Sequence, residues 1–154
     1  MKILILSDTH GETSAAEEVL RSEKPDYVIH LGDCVRDAED LDRRFPYLPI
    51  CRVAGNNDWF CDDAKEKVIS LAETPIFLCH GHTTGVKSGL LVQTAKSLQS
   101  GAKVSLFGHT HSPFLEERDG LLMLNPGSLT YSGTYAILTL LPDGKPRAEI
   151  KYNR

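Results

Sequence analysis

Five times along this chain a short apolar run ends on a residue of a type that binds metal ions. KILILS precedes Asp8, DYVIHLG precedes Asp33, PICRVAG precedes Asn56, PIFLC precedes His80 and KVSLFG precedes His109. His10 and His111 each follow two residues behind the first member of a pair, Asp8 and His109. Short apolar runs bounded by polar and turn residues read as buried strands. In open α/β sheets, ligands gather in the crevice beyond the carboxyl ends of such strands. Residues delivered from five separate strand ends therefore belong to one constellation, and a fold that could not bring those ends together is excluded.

The alternation around these runs sets the architecture. Residues 2 to 7 read as a strand, and SAAEEVLRS places Ala15, Val19 and Leu20 at helical spacing behind Ser14, the expected N-cap. YVIHL, DAEDLDRRF and PICRVA repeat the pattern as strand, helix and strand, which predicts three parallel strands with intervening helices. Beyond Asn56, EKVISLA and PIFLCH read as adjacent strands turning at Glu73 to Pro75. A helix is expected near residues 87 to 99 with Val86, Leu90, Leu91 and Leu98 on one side. The remainder reads as short strands broken at Asp119-Gly120, Pro126-Gly127, Ser132-Gly133 and Asp143-Gly144. The expected fold is α/β: a layered αββα sandwich of two mixed sheets, forming one domain over residues 1–154.

Composition narrows the function. The chain carries 17 Lys and Arg against 21 Asp and Glu, a formal net charge of -4, with no basic stripe to serve as a dedicated nucleic-acid surface. No apolar run approaches the roughly 18 to 20 residues that a membrane span requires. Asp8 and His10 interrupt the first apolar run before a leader core could form, so the expectation is a strand of a cytoplasmic protein. Cys34, Cys51, Cys61 and Cys79 lack CxxC spacing and read as reduced, with Cys51 and Cys79, inside apolar runs, as buried inert thiols.

Aspartate with imidazole suits Mn²⁺, Fe²⁺, Co²⁺, Ni²⁺ or Zn²⁺. Asp8 and His10 are two apart, as are His109 and His111, and in extended backbone that spacing sends both side chains to one face. Seven ligand-type residues exceed what one zinc-type site uses, so two metals with one shared carboxylate is the simpler account, and Asp33 is the natural bridge. With Asp8 and Asp33 as the only anionic ligands, two divalent ions would keep about +2 of charge, suited to hydrolysing a phosphate ester.

SDTHG, HLGD, AGNND, CHGH and GHTH, in that order, with NPGS at residues 125 to 128, resemble the calcineurin-type metallophosphoesterases, specifically their short prokaryotic phosphodiesterases. The resemblance runs from residue 5 to about residue 140. It implies one metal held by Asp8, His10, Asp33 and His111 and a second by Asp33, Asn56, His80 and His109, with a bridging hydroxide as nucleophile. Manganese is the expected ion, with Ni, Co, Fe and Zn as alternatives, and a phosphate ester is the expected substrate. Gly11, Gly55 and Gly81 would offer N–H groups to phosphate. Larger relatives carry a protonating His in GNH[DE], and this chain has Asn57 there. An amide is no general acid near neutral pH, which leaves Asp58, His82 or a good leaving group to compensate; Asn57 and His82 are thus the catalytic candidates beside the seven ligands.

Other residues have humbler readings. His30 is expected to bond locally inside its strand, and Asp37 to complement a helix dipole, with Arg36 reaching phosphate as the lesser reading. Trp59 and Phe60 are either an aromatic wall or ordinary packing, and Asn125 and Ser128 are turn residues. The same fold also resembles the retromer scaffold subunit, a non-enzymatic protein that departs at metal-site histidines, whereas every ligand position here is intact. A phosphomonoesterase would share the site, and homo-oligomerisation is left open.

Overall fold

The computed structural model describes residues 1–154. Ten strands and three helices follow one another as β1 (Lys2–Leu6), α1 (Thr13–Glu23), β2 (Tyr27–His30), α2 (Val35–Arg44), β3 (Ile50–Arg52), β4 (Glu66–Leu71), β5 (Thr74–Cys79), α3 (Leu91–Gln99), β6 (Val104–Leu106), β7 (Phe114–Arg118), β8 (Leu121–Asn125), β9 (Thr134–Leu140) and β10 (Pro146–Tyr152). They form two five-stranded sheets, ordered β10-β9-β1-β2-β3 and β4-β5-β6-β8-β7. β1, β2 and β3 are parallel, while β9 runs antiparallel to β1. In the second sheet β5, β6 and β8 are parallel and β4 and β7 are antiparallel at the edges. Both sheets are mixed, as the sequence predicts.

Alternation along the strands separates the layers. Ile3 and Ile5 of β1 face Ile76 and Leu78 of β5 in the core between the sheets, with Val104, Leu106, Leu124 and Leu138. Leu4 and Leu6, one residue out of phase, pack outward under α1 and α2 against Val19, Leu20 and Leu41. Phe77 and Cys79 face outward in the second sheet, toward Val86, Phe107 and Met123. Burying a Leu or Ile side chain contributes roughly 1.5–3 kcal/mol, so both faces of both sheets hold the layers together. No helix is long and apolar enough to cross a membrane.

Three local expectations fail for identifiable reasons. Ser14 lies inside α1, whose N-cap is Glu12 without a side-chain cap bond, and Ala16 takes the buried place expected of Ala15. The β4–β5 turn sits at Ala72 and Glu73, both left-handed (φ 44° and 61°), so Thr74 and Pro75 already belong to β5. Two left-handed central residues are the tight hairpin geometry that matches strand twist. The α3 face is met only in part: Val86 and Leu90 pack against the core, but Leu91 and Leu98 are exposed and Gln93 and Ser97 are buried in their place. Polar pairing decides the phase there. The Gln93 amide donates to Ser105 Oγ of β6 (2.8 Å), and Ser97 Oγ donates to the same atom (2.8 Å). Val86 packs beneath this layer from the turn before the helix.

Candidate metal centre

The loops after β1, β2, β3, β5 and β6 all leave the carboxyl ends of parallel strands, and backbone bonds tie neighbouring loops of each sheet together. Asp8 N–H donates to Gly32 O (3.1 Å) and Gly108 N–H to His80 O (2.8 Å). His109 N–H reaches across to Asp8 Oδ2 at 3.2 Å. Approach is so close that a Cβ on Gly55 would collide with the Asp33 carboxylate, and one on Gly108 with Ser7 Oγ. Only glycine permits either contact.

Two groups of ligand-type atoms result. Asp8, His10 and His111 form one, and Asp8, Asp33 and His80 the other. Asp8 Oδ1 lies 3.1 Å from His111 Nε2, 4.0 Å from His10 Nε2 and 3.8 Å from His80 Nε2, while His80 Nε2 is 3.5 Å from Asp33 Oδ1. Asp8 is the carboxylate common to these two groups, and Asp33, the expected bridge, belongs to the second. His109 stands beyond, its ring 5.0 Å from that of His80. Asn56 is exposed on the loop next to Asp33's partner Asn57.

The expected extended spacing does not occur. Asp8, His10, Asp33, His109 and His111 all have φ between 43° and 69°. A non-glycine residue in this region costs on the order of 1–3 kcal/mol. Asp8 and His10 still converge, but the second turn sends its pair apart: His111 joins Asp8 and His10, while His109 sits against His80 and His82. Ser128 Oγ, donating to Asp8 O (2.8 Å), and Asn125 Nδ2, donating to Gly108 O (3.0 Å), hold these turns. Asn125 Oδ1 also accepts from Gly127 N–H (2.9 Å), the turn role expected of it. Both residues thus brace the site as well as shaping a turn.

The donor set fits a cation. His80 Nδ1 can only donate to the carbonyl of Leu31 (2.8 Å), which leaves a lone pair on Nε2. That lone pair has no hydrogen-bond partner, nor has the buried Nε2 of His10, and both face carboxylates. Buried polar atoms are nearly always partnered, and a lone pair turned toward carboxylate oxygens is repulsive unless a positive charge lies between them. The family comparison agrees with this chemistry: a calcineurin-like phosphoesterase superfamily domain matches residues 1–142. This chain belongs to that superfamily.

Among calcineurin-like phosphoesterases, it is 35% identical over 151 residues to the probable metallophosphoesterase YsnB of Bacillus subtilis, covering 93% of this chain and 86% of that one. It is 32% identical over 154 residues to phosphodiesterase MJ0936 of Methanocaldococcus jannaschii, covering 82% and 83%. Its fold also matches wild-type Vps29 of Entamoeba histolytica, crystallised with Zn²⁺, at a TM-score of 0.77, 22% identity and full coverage of both chains. Membership supports hydrolysis of phosphate esters with the help of divalent metal.

The remaining candidates have distinct places. Asn57 clamps Asp33: its backbone N–H donates to Oδ1 (3.0 Å) and its Nδ2 to Oδ2 (2.8 Å). Asp58 accepts from the N–H groups of Asp33, Cys34, Val35 and Gly55 at 2.7–2.9 Å, so both oxygens are taken and it is a structural acceptor. Gly11 N–H donates to Asp37 (2.8 Å) and Gly55 N–H to Asp58, which withdraws two of the three expected phosphate donors. His82 Nδ1 is buried without a partner, and its ring is 5.6 Å from His80. Burial, then the neighbouring His80 and Lys65, lowers the His82 pKa, and burial with His80 and Lys87 pushes His109 down to about 4.

His30 is structural, as expected. It is fully buried, accepts from Gly32 N–H at Nδ1 (3.2 Å), and meets Thr9 Oγ1 at Nε2 (3.0 Å). Burial, against the pull of Asp37, lowers its pKa and keeps it neutral. Asp37 does more than face a helix dipole: it is buried and accepts from Thr9 Oγ1 (2.5 Å), tying α2 to the Asp8 loop. Cys79, buried, is pushed up to about 11, and burial also raises Cys34 and Cys51. Sequence reasoning missed Tyr131, whose ring stacks on His111 (4.8 Å, 9°) and meets His10 edgewise at 5.2 Å. Nothing local to SLTYSGT signals this, because the contact depends on how Ser128 docks against Asp8.

Proposed function

We propose that this chain is a metal-dependent phosphodiesterase in which Asp8, His10, Asp33 and His111 would hold one divalent ion and Asp33, Asn56, His80 and His109 a second. The observation that carries the reading is the pair of unpartnered lone pairs, His10 Nε2 and His80 Nε2, aimed at the Asp8 and Asp33 carboxylates. Imidazole with carboxylate favours Mn²⁺, then Ni²⁺, Co²⁺, Fe²⁺ or Zn²⁺. When bound, such ions supply Lewis acidity to a phosphoryl oxygen and lower the pKa of an attacking water.

The chain's own residues define the rest. Asn57 positions Asp33 through two hydrogen bonds, and its amide is committed there, so no side-chain acid stands at the place where larger relatives carry histidine. Asp58 has no free oxygen with which to compensate. His82 Nδ1 is buried, so a substrate contact from this ring would come through Nε2. Absent general-acid help is typically worth about 10² to 10⁴ in rate, the more so for poor leaving groups. Kinship with a named phosphodiesterase and an open site support a diester substrate.

Metal-stripped protein reconstituted with Mn²⁺ should hydrolyse aryl phosphodiesters faster than alkyl diesters or simple monoesters, with a steep fall in rate as leaving-group pKa rises. Undiminished hydrolysis in EDTA would sink the metal dependence. A flat leaving-group plot would mean that another acid operates, and faster turnover of monoesters would overturn the diester assignment.

A further inference from the structure

Beside the metal centre lies a cleft of ≈ 710 Å³ between the Asn57–Asp63 loop and the first turn of α2. Asn57 and Asp58 form one wall, and both are bonded to Asp33 or its N–H, so the cleft begins where the candidate centre ends. Immediately after them the chain turns Trp59 outward at 76% exposure and Phe60 into full exposure, the latter with a left-handed φ of 63°. A bulky residue at positive φ is an outlier, and this one gains no packing in exchange. Neither ring contributes to a core cluster. Arg36, from the first turn of α2, also lines the cleft; it is exposed and makes no ion pair. Arg52, by contrast, is already bonded to Asp63 (2.8 Å) and faces Glu39 (3.6 Å).

We propose that this cleft is the subsite for one arm of the phosphodiester, and that the arm it takes is a neutral, planar nucleobase stacked on Trp59. Three features select that occupant. Indole and phenyl faces bind flat rings largely irrespective of sequence. The lining carries the carboxylates of Glu39, Asp62 and Asp63 against Arg52, a balance that repels further phosphates and accepts the amino edge of a base. Arg36 lines the same cleft, exposed and without an ion pair, which leaves its guanidinium available to a phosphate. The inference rests on the phosphodiesterase reading only for its link to catalysis, since the ring site itself needs no metal.

Trp59 is the only tryptophan, so its fluorescence reports on this cleft alone. Adenosine 5′-monophosphate, ribose 5-phosphate and adenosine would be titrated into Mn²⁺-loaded protein, with Kd from calorimetry and quenching followed in parallel. Adenosine 5′-monophosphate should quench Trp59 saturably and bind on the order of ten-fold tighter than ribose 5-phosphate, the usual scale of one base stack. Trp59→Ala should bring that ratio to about one by calorimetry; the ring is exposed, so folding is not at stake. Equal Kd values for the two phosphates, with no quenching, would overturn the subsite. Should neither phosphate bind, quenching by adenosine alone would uphold the cleft and place the failure in the metal-centre reading, while silence from adenosine would sink the cleft too.

Discussion

Two buried polar clusters sit back to back on β5, and they are finished differently. Cys79 looks outward into the cluster under α3, where Gln93 Oε1 accepts from Thr84 Oγ1 (2.7 Å) and from the Cys79 thiol (3.1 Å), and the Gln93 amide meets Ser105. Each polar side chain there has a partner. His80, the next residue, looks into the metal centre, where its Nε2 and that of His10 have none. Satisfied polar networks under a helix fix packing; an unsatisfied set of donors on left-handed turns spends stability to await a ligand. The last residue of β5 and the first beyond it thus serve packing and chemistry respectively.

Removing a carboxylate from the unfinished cluster should have the largest effect. Asp8→Ala withdraws the group common to both ligand sets, and Asp33→Ala the one that the family resemblance makes the bridge. Either change should cut turnover by at least about 10³-fold, since metal assistance supplies several kcal/mol at 1.36 kcal/mol per tenfold. Elemental analysis separates the two. The variant that binds no metal has lost the bridge, and the variant that keeps one ion has lost a terminal ligand. Two full equivalents of metal in both variants would refute the shared-carboxylate centre altogether.

The strand ends, the two mixed sheets and the ligand-type residues were legible because apolar runs and punctuation are local. Their convergence was legible only in outcome. His109 and His111 do not share a face by strand alternation; Asp8 and His109 are held in left-handed turns by Ser128, Asn125 and Gly32, which lie far away in sequence. The α3 phase misled for a related reason. Leu91 and Leu98 advertise an apolar face, yet Gln93 and Ser97 are the residues that find Ser105. Tyr131 and the Asn57 clamp on Asp33 were invisible, since each is a tertiary contact without a spacing rule.

The finished cluster should respond in the opposite sense. Gln93→Leu keeps volume but takes the 3.1 Å acceptor from the Cys79 thiol and one bond each from Thr84, which keeps Gly81 O, and Ser105, which keeps Ser97; an unsatisfied buried group costs about 1–3 kcal/mol. Urea unfolding should show a lower midpoint, while metal content and turnover of an aryl phosphodiester match the parent. Loss of metal in this variant would mean that the two clusters are coupled through β5 and that the contrast between them is false.

The smallest effect belongs to a third polar group, on the outer side of the first sheet, which is satisfied through charge. Glu23 Oε2 accepts from Lys2 Nζ (2.7 Å), and Oε1 from Lys151 Nζ (2.6 Å) and Tyr135 Oη (2.7 Å). Burial alone would raise the Glu23 pKa, but the hydrogen bonds from Lys151, Lys2 and Tyr135 outweigh it and bring it down to about 2. A carboxyl whose folded pKa lies below its unfolded value stabilises the fold above the unfolded value, and that contribution drains away as pH falls toward about 2. Lys2 and Lys151 side chains are 37% and 36% exposed, so solvent screening holds the contribution to about 1 kcal/mol or less. Glu23→Gln should therefore unfold at slightly lower urea than the parent at neutral pH, with the gap closing between about pH 4 and pH 2. A gap that persists at pH 2 would assign the loss to packing around Tyr135 instead of to charge, and this cluster would then resemble the one under α3.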